Sequence, residues 1–225
     1  PTRVLDDLSF KVEPGEKVGI LGKIGSGKST ILRLAAGLYV PDDGAIMIDD
    51  TDLRQIVPED LRKNMAMVLQ DIFLFSGTVK ENITMGDPDI TDEDILHASE
   101  VSGLQDFLGS IPSGYDLQLR DRGEGLSGGQ KQALALCRAL VRKAPIIMMD
   151  EPTSSMDTAS EYKLISRLKK ELNHTTLLIV THRASVLELV DRIIVVEQGK
   201  IVANGPKDDV IKMLNSKAAN TPMKQ

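Results

Sequence analysis

The chain has 225 residues, enough for one large domain or one domain with a sizeable insertion, and its 41% hydrophobic content calls for a packed core. A formal net charge of −6 and a pI near 5.2 argue against general nucleic-acid binding, which needs a basic face. Aromatics make up only 3% with no Trp, so there is no stacking platform for single strands, and no apolar run reaches the length of a membrane span.

In chain order, residues 4–12 alternate weakly and predict a strand, closed by the turn Glu13-Pro14-Gly15-Glu16. Residues 17–21 are an apolar run and predict a buried strand. A glycine-rich loop follows, then a helix over 30–36 with Gly37 as its stop. Pro41-Asp42-Asp43-Gly44 is a turn before a strand at 45–48. Pro58 with Glu59 and Asp60 marks a helix start. Residues 65–69 form a buried strand ending at Gln70. From about 72 to 142 the pattern is mostly helical (92–101, 104–111, 127–142), and this stretch reads as a helical insertion. Strands return at 146–149, 176–180 and 192–196, with an amphipathic helix over 158–172 between the first two. A hairpin turn at 197–200 leads into 201–203, and the polar tail 215–225 is expected to be disordered. Strand and helix in alternation make this an α/β chain with a mainly parallel sheet. Cys137, the sole cysteine, lies in an apolar stretch, so an internal disulfide is impossible and a buried thiol is expected. The first residue is Pro1 rather than Met, and no signal peptide is visible; the chain reads as a piece of a longer protein from a reducing compartment.

The loop Gly22-Lys23-Ile24-Gly25-Ser26-Gly27-Lys28-Ser29-Thr30 sits between strand and helix, the context that phosphate binding requires. Its glycines let backbone N–H groups curl around a phosphate chain, and the helix start adds partial positive charge. Lys28 is expected to reach the β- and γ-phosphates and the Ser29 hydroxyl to ligate Mg²⁺. A second anion site is predicted at Leu126-Ser127-Gly128-Gly129-Gln130. Ser127 and Gln130 form a capping box, and two glycines expose the first-turn amides. If the two sites of one chain cannot meet on one nucleotide, the closing helix must come from another copy.

Residues 146–149 run into Asp150-Glu151 at the carboxyl end of a buried strand, where ligands of parallel sheets bind. Adjacent residues point different ways, so Asp150 is placed to hold Mg²⁺ and Glu151 to accept a proton from attacking water. Gln70 and His182 end two other such strands. Gln70 can ligate Mg²⁺ or position water, and His182 can meet a γ-phosphate oxygen or hold Glu151.

Together these residues resemble the ATP-binding cassette (ABC) ATPases. Gly22 to Thr30 matches the Walker A motif, Leu126 to Gln130 the LSGGQ signature and Asp150-Glu151 the Walker B motif with its glutamate. Gln70 matches the Q-loop, Ser155-Met156-Asp157 the D-loop and His182 the switch histidine. The resemblance implies a P-loop NTPase core with an N-terminal antiparallel β region and a helical subdomain, all within one nucleotide-binding domain over 1–225. It implies ATP and Mg²⁺ as cofactors, and a head-to-tail dimer of two copies with ATP between the loop of one and the signature of the other. Asp157 would lie at that interface. The stretch Gln70 to Ile83 resembles exporters, where it contacts a transmembrane domain at the cytoplasmic face of the inner membrane. The bland alternative for Phe73 and Phe75 is core packing. Residues 117–123 stand where exporters carry a cross-domain loop, but Gln118-Leu119-Arg120 departs from its acidic pattern. Details at 22–25, 153–157 and 181–185 resemble type I protein-secretion ATPases, notably those moving large adhesins; a lipid, peptide or drug exporter is the alternative. The family's adenine-stacking aromatic would fall before Pro1, and Phe10 is too close to the loop to replace it. A DNA-repair ATPase would need a long coiled coil between the two Walker motifs, which is missing. Intact Glu151, His182 and Gln130 argue against a cassette that binds ATP without cleaving it.

Overall fold

The computed structural model describes residues 3–219. The elements run β1 (Lys17–Leu21), α1 (Lys28–Ala35), β2 (Met47–Ile48), β3 (Thr51–Asp52), α2 (Pro58–Asn64), β4 (Met65–Val68), β5 (Gly77–Thr78), α3 (Val79–Thr84), α4 (Asp92–Ser102), α5 (Leu104–Leu108) and β6 (Gln118–Leu119). They continue with α6 (Gly128–Leu140), β7 (Ile146–Asp150), α7 (Thr158–Glu171), β8 (Thr176–Val180), β9 (Arg192–Glu197), β10 (Lys200–Pro206) and α8 (Lys207–Ala219).

Six strands form one sheet in the order β10-β9-β1-β8-β7-β4, parallel throughout except for β10, which pairs antiparallel with β9. The apolar runs suit this position because both faces are covered. Leu177 and Ile179 of β8 face one layer, built largely on α6 and α7; Leu178 and Val180 face the other, with Ile31 and Leu32 of α1. Ile193 and Val195 against Ile194 and Val196 divide β9 in the same way. Ile20, Val180 and Asp150 are aligned across adjacent strands. The loops leaving β1, β4, β7 and β8 therefore emerge at one edge, which brings the predicted site residues of the core together.

Three expectations need correcting. Residues 4–12 form no strand. The alternation is real as burial, since Leu8, Phe10 and Val12 pack partly under the α1 layer while Ser9 and Lys11 are exposed. However, Asp7 turns left-handed (φ +51°) and the segment meets the sheet at isolated points, Asp6 N to Gly199 O and Arg192 Nη2 to Lys11 O. Among the described residues, antiparallel pairing before β4 is confined to the ribbon β2–β3. Second, the stretch 72–142, read as mostly helical, also carries a short antiparallel pair, β5 with β6. Third, residues 215–219, expected in a disordered tail, continue α8; Asp208 and Asp209 favour its first turn and buried Val210 docks it. Residues 220–225 of that tail lie outside the described residues. Cys137 is fully buried on α6 against Ser99, and burial pushes its thiol up to about 11.

Candidate functional site

The phosphate loop follows from strand geometry. β1 must turn sharply after Leu21, and Gly22 does so at φ +155°, with its α-carbon so close to β9 that a Cβ would stand 2.1 Å from the Val196 carbonyl oxygen. Gly27 caps α1 in the left-handed region (φ +100°) and offers no side-chain cap, so the first amides of α1 stay open. Lys28 folds back over the loop and donates to the Gly22 and Lys23 carbonyls, both at 2.8 Å. Burial pushes its ammonium below the usual value, opposed by Glu151 and Asp150, which it faces. The Ser26 hydroxyl is buried with no hydrogen-bond partner.

Asp150 closes β7 and is buried. That burial raises its carboxyl above the ordinary value; the Ser29 hydroxyl opposes the rise, Glu151 adds to it, and Arg33 and Lys28 also oppose it. Its Oδ1 has no partner. Glu151 turns left-handed (φ +49°), rare for a side chain of its size, and its amide is held by the Val180 carbonyl at 2.9 Å. His182 Nδ1 lies 2.8 Å from Glu151 Oε1, while Glu151 Oε2 is buried and unpartnered. Gln70 stands two residues past β4 at the same edge with an exposed side chain.

These atoms form an oxygen-rich site with open valence: three buried polar atoms without partners among the described residues, a hydroxyl beside a carboxylate, and a lysine over the loop. No cluster of three or more His, Cys, Asp or Glu that could enclose a metal exists among the described residues. The donor set fits a magnesium ion that keeps waters and shares phosphate oxygens, and it does not suit a fully protein-ligated metal.

The predicted capping box is present. Ser127 Oγ accepts from the Gln130 amide at 3.3 Å, and Gln130 Oε1 accepts from the Ser127 amide at 2.8 Å. A Cβ on Gly128 would come within 2.9 Å of Ser155 Cβ, so the tip of α6 rests on the segment after Glu151. Among the described residues no hydrogen bond joins 127–130 to 22–30. Asp157 caps α7, accepting from the Ala159 and Ser160 amides at 3.0 Å and the Ser160 hydroxyl at 2.6 Å.

Phe73 and Phe75 are 51% and 46% exposed with rings 5.0 Å apart, and Leu74 between them is fully buried. The core alternative therefore fails for the two phenylalanines. Arg138 of α6 fixes this presentation, donating to the Phe73 carbonyl at 2.9 Å and to the Asn82 carbonyl at 2.8 Å. An arginine inside the apolar run Ala133 to Leu140 was the available signal for it. Gln132 is also buried on α6 and was not singled out by sequence. It donates to the Glu151 carbonyl at 3.0 Å and accepts from the Ser155 amide at 3.0 Å.

A strand, an open glycine loop and a helix, with paired carboxylates on a nearby strand end, define a P-loop nucleoside-triphosphatase. The ABC transporter family matches residues 5–154, and the chain belongs to it as an ATP-binding, ATP-hydrolysing domain. It is 42% identical over 93% of its length to the ATP-dependent lipid A-core flippase of Pseudomonas fluorescens (strain Pf0-1). It is 38% identical over 94% to the Toxin RTX-III translocation ATP-binding protein of Actinobacillus pleuropneumoniae. These alignments span 35% and 30% of the two relatives, so the chain covers about a third of their length. Among solved structures, a bacterial Atm1-family ABC exporter with ATP bound matches with TM-score 0.89 and 34% identity, over 97% of this chain and 39% of that one. No helix among the described residues is long and apolar enough to cross a membrane.

Proposed function

We propose that this chain is one nucleotide-binding domain that drives export through a transmembrane partner. Residues 72–142 act as its helical subdomain, and two copies work head to tail. The observation that carries this reading is the Glu151–His182 contact at the sheet edge beside the open loop. In it, Gly22 to Thr30 cradle the triphosphate and Lys28 exchanges its loop carbonyls for phosphate oxygens. Magnesium, held by Ser29 and Asp150 with Gln70, would neutralise phosphate charge. His182 donates from Nδ1 to Glu151 Oε1, which leaves Oε2 to take the proton of attacking water; with its second ring nitrogen protonated as well, His182 donates to a γ-phosphate oxygen. The amides of Gly128 and Gly129 of a second copy, set by Ser127 and Gln130, close over the γ-phosphate, with Asp157 at the interface. ATP shifts the population toward the closed dimer and hydrolysis releases it. Exposed Phe73 and Phe75 offer a contact for the transmembrane partner on the cytoplasmic side.

For cargo, we favour type I secretion of a large protein such as an adhesin, supported by the motif details and by relatives named as toxin translocation proteins. The 42% identity to a lipid A-core flippase favours a lipid exporter as the second reading. Glu151→Gln is expected to bind ATP and migrate as a dimer with ATP and Mg²⁺ in size exclusion; a variant that stays monomeric counts against the shared site. Cargo class is tested in the complete transporter in proteoliposomes, where unfolded repeat-rich polypeptide and lipid A-core are compared as stimulators of ATP turnover.

A further inference from the structure

The segment from Glu151 to Asp157 belongs to neither sheet nor helix. It carries the backbone of the proposed general base at one end and the cap of α7 at the other, so its geometry depends on side chains that reach in from elsewhere. Arg183, the residue after His182, supplies two of these contacts: Nη2 donates to the Ser154 carbonyl at 3.2 Å and Nη1 to the Met156 carbonyl at 3.4 Å. Nη1 also donates to Glu161 Oε2, and the Ser185 hydroxyl donates to Glu161 Oε1. Glu161 lies in the first turn of α7 with 6% exposure. Burial alone would raise its carboxyl; the Ser185 and Thr153 hydroxyls and Arg183 outweigh that, and it sits below its ordinary value. The Arg183 amide in turn donates to Thr181 Oγ1 at 3.0 Å, which pins the strand exit on the other side of His182.

We propose that Arg183 is a positioning residue for ATP hydrolysis: anchored on Glu161, its planar fork ties the Ser154–Met156 carbonyls to the segment bearing His182 and so holds the His182–Glu151 pair in register. A buried ion pair alone is seldom worth more to stability than an apolar pair of the same volume. What an apolar pair cannot supply is direction. The guanidinium offers several N–H groups in one rigid plane, matched here to two carbonyls and a carboxylate. Placement matters at this point because catalytic groups misplaced by an ångström lose orders of magnitude in rate. The contacts of Arg183 named above do not include any atom of the phosphate loop, so its removal acts on turnover and leaves nucleotide capture alone.

The test compares Arg183→Lys with the double variant Arg183→Met/Glu161→Met, reading kcat, KM for ATP, binding of a fluorescent ATP analogue and thermal melting in the same preparations. Lysine keeps the charge beside Glu161 but not the fork, and the double variant removes the pair without leaving a lone buried charge. Both are expected to melt near the unmodified chain, to keep KM and analogue affinity within about twofold, and to lose about tenfold in kcat. Recovery of full kcat in either variant would show that Arg183 serves stability only and would overturn the proposal. A rise in KM at unchanged kcat also overturns it. The proposal rests on the ATPase reading, and the two fail differently: an unmodified chain that binds the analogue but turns over no ATP sinks both.

Discussion

Two helices of this chain, α1 entered from a glycine-rich loop and α6 opening on two glycines, build their N-termini in opposite ways. The start of α1 is left open. Gly27 provides no side-chain cap, Ser26 Oγ has no partner, and Lys28 can only turn back onto the loop's own carbonyls. The start of α6 satisfies itself through Ser127 and Gln130, leaving a tip of glycine backbone that rests on Ser155. An open helix start next to buried unpartnered oxygens needs an anion and can grip one within a single chain. A self-capped tip demands nothing and gains only when a phosphate is presented to it. The first element captures, therefore, and the second completes.

Variants at the two termini can break that division. The largest effect is expected from Lys28→Ala: with charge-assisted hydrogen bonds worth about 1.5–3 kcal/mol each, nucleotide affinity falls by about 100-fold or more. A fluorescent nucleotide that binds this variant normally refutes the cradle assignment. Next comes Gly129→Asp. A Cβ there meets the Ser155 carbonyl oxygen at 3.4 Å, an ordinary contact, so the helix tolerates it and the added carboxylate repels the approaching phosphate. Turnover is expected to drop about 100-fold, with affinity for the fluorescent nucleotide unchanged. Loss of affinity in step with turnover would mean that the tip captures as well. Ser127→Ala is milder: breaking the capping box costs about 1 kcal/mol of stability in denaturant melts, without change in nucleotide affinity. The smallest signal is at Cys137, further along α6. With its thiol pushed up to about 11 and fully buried, it should resist alkylation at pH 8. If Ser127→Ala loosens the helix by about 1 kcal/mol, that slow rate rises about fivefold. An unchanged rate would place the lost stability elsewhere.

The parts legible in sequence are those where one local signal decides the outcome. Residues 176–180 are apolar throughout and form β8 between those bounds. Ser127 and Gln130 are three apart and make the predicted box. The misreadings occur where the outcome depends on partners. The alternation of residues 4–12 marks burial under the α1 layer; the segment touches the β9–β10 edge only at isolated points, and a strand needs continuous ladder pairing. Between the two readings of Phe73 and Phe75, their exposure goes against core packing, and Arg138, remote in sequence, holds the Phe73 carbonyl. The left-handed turn of Glu151 and the reach of Gln132 and Arg183 to its loop are tertiary facts with no local period or spacing to announce them.

The central claim is that a triphosphate gripped by one copy's loop is sealed by the helix tip of another. ATPase rate against protein concentration tests it most directly. If the site is shared, activity per molecule is low in dilute solution, climbs with concentration and levels off once dimers dominate. Full activity per molecule, constant down to the most dilute sample, would mean that a single copy completes the site and would contradict the account.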